Sequence, residues 1–73
     1  MDAGTVEVMF KFSREQMRAR LEKAASIAKA AEACADSGHV EKGIAFALDV
    51  EELIYEVGTL LNAASLIHRN ART

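Results

Sequence analysis

Two long segments of this sequence carry apolar residues at alternating spacings of four and three, and a short polar break separates them. This spacing places the apolar residues of each segment along one side of an α-helix. The break is Asp36-Ser37-Gly38-His39, in which Gly38 can take the left-handed conformation that ends a helix. Because short connections join antiparallel helices, the pattern predicts a mainly all-α fold built on an antiparallel two-helix hairpin.

The first helix is predicted over residues 14–36. Ser13 and Gln16 have the spacing of a capping box at its start. Eight of the 17 residues from Ala19 to Ala35 are alanine, which favours a helix and lets a second helix approach closely. The residues expected to contact the second helix are Met17, Leu21, Ala24, Ala28, Ala31 and Ala35.

The second helix is predicted over residues 40–69 and carries larger apolar residues. Its expected contact residues are Phe46, Val50, Leu53, Val57, Leu60, Ala64 and Ile67. In the predicted register Met17 lies opposite Val57, and the numbers of every two opposing residues add up to 74. Large side chains of the second helix then meet small ones of the first. The same register brings Arg20 near Glu56, and these opposite charges favour it.

Residues 5–12 have a different period. Val6, Val8, Phe10 and Phe12 occupy every second position, which is typical of a β-strand with one buried face. The sequence offers no second strand to pair with it. We therefore expect a short N-terminal strand that pairs with a second copy of the chain or folds back over the second helix.

Chain length favours self-association. All 73 residues are expected to form a single small domain, and a core of this size seldom contributes more than about 3–5 kcal/mol. The lone Cys34 cannot form an internal disulfide. We expect a homodimer, either a four-helix bundle or a strand-paired assembly, because the end of the second helix extends past the predicted start of the first. The predicted dimer or partner interface is Val8, Phe10, Phe12, Leu60, Leu61, Ala64, Leu66 and Ile67.

The net charge of −2 gives no general attraction to nucleic acid or anionic membranes. One local excess of basic residues lies in residues 11–29 and is available to nucleic acid or an acidic partner. The alternative is that it neutralises the acidic residues of the second helix. The candidate contacts are Lys11, Arg14, Arg18 and Lys23.

No group of residues has the spacing of a catalytic or metal site. The densest acidic cluster, at residues 49–56, has no matching pair of carboxylates or histidines on the first helix. Phosphate-binding loops and nucleophile motifs are absent from the sequence. We expect no enzyme activity, no cofactor, no metal and no small-molecule substrate.

The sequence favours a cytoplasmic protein that does not enter a membrane. Its apolar runs are far shorter than the roughly 20 residues that span a bilayer. Residues 1–5 lack the basic and apolar regions of a signal peptide. A single cysteine agrees with a reducing compartment.

These features favour a small non-enzymatic interaction or regulatory protein, a dimeric helical-hairpin adaptor that binds a protein partner. The alternative is a DNA-binding transcriptional regulator, because the order of one strand and two helices resembles the ribbon-helix-helix repressors. That resemblance implies that outward strand residues enter the major groove, and here these are Thr5, Glu7, Met9 and Lys11. The resemblance covers the order of elements only, since the predicted first helix is longer than that family's and the second is acidic.

Overall fold

The computed structural model describes residues 2–72, with side chains described for residues 2–70. Helix α1 is Ala3–Asp36 and helix α2 is Val40–Arg72, and together they form a hairpin. The predicted all-α hairpin is confirmed. The end of the first helix and the start of the second also lie where the sequence predicts them.

The loop between the helices is closed by the backbone. Gly38 has a positive φ of 85°, and its N–H donates to the carbonyl of Ala35 at 3.1 Å. The N–H of His39 donates to the carbonyl of Cys34 at 2.8 Å. These two bonds form a Schellman motif, which satisfies carbonyls at the end of α1 and requires glycine at the left-handed position.

The predicted N-terminal strand is wrong, because residues 5–12 lie within α1. The helix begins at Ala3, where the sequence pattern favoured residue 14, and its N-cap is Asp2. Asp2 Oδ1 accepts a hydrogen bond from the N–H of Thr5 at 2.8 Å, and Thr5 Oγ1 donates to Asp2 Oδ2 at 2.9 Å. A lone strand would leave its backbone groups unpaired, whereas a helix satisfies them within the segment.

Ser13, expected as the N-cap, is instead a buried residue in the interior of α1. The hydrogen bonds from the backbone and side chain of Thr5 hold the pKa of the Asp2 carboxyl below its ordinary value. The N-cap of α1 is thus Asp2, which lies eleven residues before the predicted N-cap Ser13.

Helix α2 packs against α1 with the side that the sequence predicts, extended by Gly43. All its contact residues are buried or half-buried: Gly43, Phe46, Val50, Leu53, Val57, Leu60, Ala64 and Ile67. Their 3-4 spacing keeps one side of the helix facing α1 along most of its length.

Helix α1 is rotated from its predicted orientation. Leu21, Ala28 and Ala35 are exposed, and the residues preceding each of them are turned towards α2. The observed contact residues are Ser13, Met17, Arg20, Ala24, Ile27, Ala31 and Cys34. Burying Ile27 removes more apolar surface from water than burying Ala28 would, which favours this rotation.

Gly43 determines the register of the hairpin. A Cβ atom built on Gly43 would lie 3.6 Å from Cβ of Cys34, so the numbers of opposing residues add up to 77. The most buried residues agree with this register, because Ala24 and Leu53, and likewise Ser13 and Ala64, have numbers with the same sum. The predicted register of 74 is wrong by about one helical turn, because it ignored the close approach that a glycine allows.

The hairpin is long and thin. Its principal extents are 54 × 14 × 10 Å, and its radius of gyration of 16.6 Å exceeds the roughly 11 Å typical of a compact chain of this length. Among the described residues, the buried apolar side chains are Ala24, Leu53 and Ala64, which remain 6–8% exposed. Two helices in one layer therefore leave most of their apolar side chains partly in contact with solvent.

Candidate interaction surfaces

One broad side of the hairpin is charged. Lys23 precedes the contact residue Ala24, and Glu56 precedes the contact residue Val57, which places both on the same side of an antiparallel pair. They line one shallow depression together with Asp49 and Glu52. We call this surface the charged face; it consists of Arg20, Lys23, Asp49, Glu52 and Glu56.

Arg20 occupies a contact position that an apolar residue would normally fill. Its Nη1 donates to the backbone oxygen of Gln16 at 3.1 Å and to Gln16 Oε1 at 2.9 Å. Its Nε lies 3.8 Å from Glu56 Oε2, which confirms the predicted pairing of these two residues. That separation is too long for a hydrogen bond, and the buried Nε has no hydrogen-bond partner among the described residues.

The opposite broad side is apolar. Leu21 follows the contact residue Arg20 by one position, and Leu61 follows Leu60, which places both on the side away from the charged face. Leu21, Ile54 and Leu61 are 46%, 50% and 54% exposed. We call this surface the apolar face; it consists of Leu21, Ala25, Ala28, Ile44, Ala47, Ile54 and Leu61.

A second group of exposed apolar residues lies at the open end of the hairpin, away from the loop. Val8, Phe12 and Leu66 are 68%, 60% and 53% exposed. Helical spacing places Phe12 and Leu66 on the side of the charged face, and Val8 on the outer side of α1. We call these three residues the open-end patch.

The predicted interface residues therefore divide into two groups. Val8, Phe10, Phe12, Leu61 and Leu66 are exposed. Leu60, Ala64 and Ile67 contact α1 within the hairpin. The expectation that these last three lack intrachain cover is wrong, because α1 begins at Ala3 and its first turns run beside the end of α2.

The four basic candidates do not form one patch. Lys11 Nζ lies 3.0 Å from Glu7 Oε1, and Arg18 Nη1 lies 3.0 Å from Glu22 Oε1, so two of the four pair with acids one turn away. Arg14 and Arg18 border the apolar face beside Leu21. Lys23 lies on the charged face.

The sequence prediction did not select Leu21 and Ile54 as interface residues. Leu21 was assigned to the contact with α2, and Ile54 was not among the residues expected to make a contact. Their positions in the sequence are the feature that could have identified them. Leu21 and Ile54 each follow a contact residue, and both lie beside small residues such as Ala25. Recognising that feature requires knowing which side of α1 faces α2.

The geometry defines an antiparallel helical hairpin with two separate exposed apolar surfaces. In residues 2–70, no group of three or more His, Cys, Asp or Glu side chains is placed to hold a metal ion. Neither helix, over its described length, is apolar enough to cross a membrane. Comparison with protein-family models, curated protein sequences and solved structures found no match.

Proposed function

We propose that this chain is a small non-enzymatic interaction protein, a helical-hairpin adaptor that binds a protein partner through the open-end patch. The observation that carries the proposal is the exposure of Val8 and Phe12, at 68% and 60%, on a helix that is apolar on several sides there. Large apolar and aromatic side chains supply most of the binding energy at protein interfaces. Residues exposed in this way in an isolated hairpin are typical of a surface that a partner covers.

The shape of the patch favours a helical partner. Phe12 and Leu66 lie at almost the same level along the hairpin, because their numbers add up to 78 in a register of 77. Helical spacing places Met9 and the small Ala63 between them. Two ridges with a shallow centre accommodate an amphipathic helix laid along the hairpin, whose apolar side contacts both ridges.

The charges favour a protein over nucleic acid. The basic residues are divided between two sides of the hairpin, and Lys11 and Arg18 already have acidic neighbours. Strong binding to DNA requires several cations aimed at the same phosphate backbone. Residues 5–12 are helical, so the strand on which the ribbon-helix-helix alternative depended is absent from this segment.

Site-specific photo-crosslinking in cells of the source organism tests the proposal. Phe12 or Leu66 is replaced by p-benzoylphenylalanine, and the crosslinked protein is identified by mass spectrometry. We expect the same partner from both positions. The control position is Lys29, which is exposed on α1 outside the patch.

The partner identified in this way is then purified and its affinity measured by calorimetry. Phe12→Ser should weaken binding at least about tenfold, because an aromatic anchor is lost. Lys29→Ser should leave the affinity unchanged. The proposal fails if positions 12 and 66 give no common partner, or if Phe12→Ser and Lys29→Ser bind equally well.

A further inference from the structure

The apolar face is separate from the open-end patch. We infer that it binds a second copy of this chain, related by a two-fold axis perpendicular to the helices, to form an antiparallel four-helix bundle. Each helix then lies against its own copy, with every neighbouring pair antiparallel. The inference concerns the opposite side of the hairpin from Phe12 and Leu66, so it stands independently of the proposed function.

The exposed area matches what a dimer buries. The accessible surface of the chain is 5527 Å², whereas a compact monomer of 7.9 kDa exposes about 4,400 Å². The excess is about 1,100 Å², and a stable interface buries roughly 800 Å² on each partner. Packing a second layer of two helices on the apolar face would lower the accessible surface of this chain to about that of a compact monomer of the same mass.

Charge complementarity selects the second copy and its direction. On the side of the apolar face, α1 also carries Arg14 near the open end and Glu32 near the loop; both are exposed and follow a contact residue as Leu21 does. Position 23 is midway between them. A two-fold axis at this level places Arg14 opposite Glu32 of the partner subunit, and the symmetric pair forms at the other end.

The same axis also matches side-chain sizes. Position 23 is midway between Leu21 and Ala25, so each leucine lies opposite an alanine of the partner subunit. In the register of 77, Ile54 is at the level of position 23 and lies opposite Ile54 of the partner subunit. A parallel arrangement would pack α1 on α2 and place Arg14 between Leu61 and Ser65 of the partner subunit, without an acid.

Cysteine crosslinking at the axis tests the arrangement. Ile54→Cys is made with Cys34→Ser, so that one thiol remains in each chain. Under mild oxidation we expect a disulfide-linked dimer within minutes, because the two thiols face each other. The matched control is Tyr55→Cys in the same background, since Tyr55 is exposed and points outward at the next position. Equal crosslinking of both variants, or none at position 54, overturns the arrangement.

Charge exchange provides a second test that does not depend on a thiol. Light scattering of the wild type should give about twice 7.9 kDa at micromolar concentrations. Arg14→Glu should weaken dimerisation about three- to tenfold, because two symmetric ion pairs are lost. Adding Glu32→Arg should restore it. A wild-type monomer at micromolar concentrations, or a double variant no tighter than Arg14→Glu, overturns the inference.

The two experiments separate this inference from the proposed function. Ile54→Asp should give a folded monomer by circular dichroism that still crosslinks to the partner from position 12. Phe12→Ser should lose the partner and keep the dimer mass. A wild-type chain that binds the partner but stays monomeric contradicts only the proposal for the apolar face. A wild-type chain that forms the dimer but captures no partner contradicts only the proposal for the open-end patch.

Discussion

A Cβ atom placed on Gly43 would lie 3.0 Å from the carbonyl oxygen of Ala31, closer than nine in ten real contacts of this kind. The atom it meets is backbone, which cannot turn away as a flexible side chain can. The helices therefore approach closely at Gly43, where α2 has no side chain. This contact explains why the register is 77 and why the hairpin is tightly closed beside the loop.

Gly43→Ala should lower the free energy of unfolding by about 1 kcal/mol. Alanine favours the helix by about 1 kcal/mol over glycine, but overpacking against the Ala31 carbonyl costs about 1–3 kcal/mol. Urea denaturation followed by circular dichroism, at one fixed protein concentration, measures the difference.

Gly58→Ala is the matched control, since a Cβ atom at Gly58 has nothing within 4 Å in the hairpin. There the helix propensity acts alone and should raise the free energy of unfolding by about 1 kcal/mol. Opposite signs for the two variants support the close contact at Gly43. Equal stabilisation by both would contradict it.

The N-cap should make the start of α1 sensitive to acid. The pKa of Asp2 is lowered by hydrogen bonds from Thr5, so capping is complete above the ordinary aspartate pKa of about 4. It is lost as the pH falls through the lower folded value, when the carboxyl becomes protonated. Nuclear magnetic resonance should show loss of the Thr5 amide hydrogen bond in that acidic range.

Asp2→Asn separates the charge from the cap. Asparagine caps helices about as well as aspartate but does not titrate. The Thr5 amide of this variant should stay hydrogen-bonded throughout the same titration. If wild type and Asp2→Asn respond equally to acid, another group causes the change.

Arg20→Leu should raise the free energy of unfolding by about 1 kcal/mol. The arginine Nε is buried without a hydrogen bond, and its separation from Glu56 Oε2 is 3.8 Å, so the apolar burial that leucine gains outweighs the two Nη1 hydrogen bonds to Gln16 that it loses. Thermal and urea unfolding measure the effect. Glu56→Gln should change stability by no more than about 1 kcal/mol, because the glutamate is partly exposed. A large loss in either variant would show that the ion pair stabilises the hairpin.

The packing of Ile27 against α2 can be tested with this half-buried residue and one exposed residue of α2. Ile27→Ala should lower the free energy of unfolding by about 1–2 kcal/mol, since Ile27 is half-buried against α2. Leu48→Ala should change it by less than about 0.5 kcal/mol, because Leu48 is exposed on the outer side of α2. Comparable losses would show that Leu48 is also covered.

Much of the fold follows from local features of the sequence. Gly38 ends one helix, and the adjoining residues begin the next within a residue of the predicted positions. The side of α2 that contacts α1 was also predictable, because its apolar residues keep the 4-3 spacing from Phe46 to Ile67. Phe12 and Leu66 were predicted to lie in an interface, Phe12 as part of a strand and Leu66 as part of an uncovered helix end; the structure shows that both are exposed.

Three features were decided by the tertiary structure. Residues 5–12 have the period of a strand, but they extend α1 because the end of α2 lies alongside them. The sequence did not decide which side of α1 faces α2. The side that contains Leu21 and the side that contains Arg20 have the same 4-3 spacing. Burial of Ile27 and the Arg20–Glu56 pair favour the second.

The register of the two helices is the third feature that the tertiary structure decided. Sequence spacing repeats every seven residues, so it defines which side of a helix makes contact but leaves sliding along the axis nearly free. The absence of a side chain at Gly43 removes that freedom. The backbones of α1 and α2 can approach closely only where Gly43 lies against Ala31, and this contact fixes the register. By itself the sequence determined two helices, their turn and the contact side of α2. How far they slide, and which apolar side remains open, depends on the contacts between them.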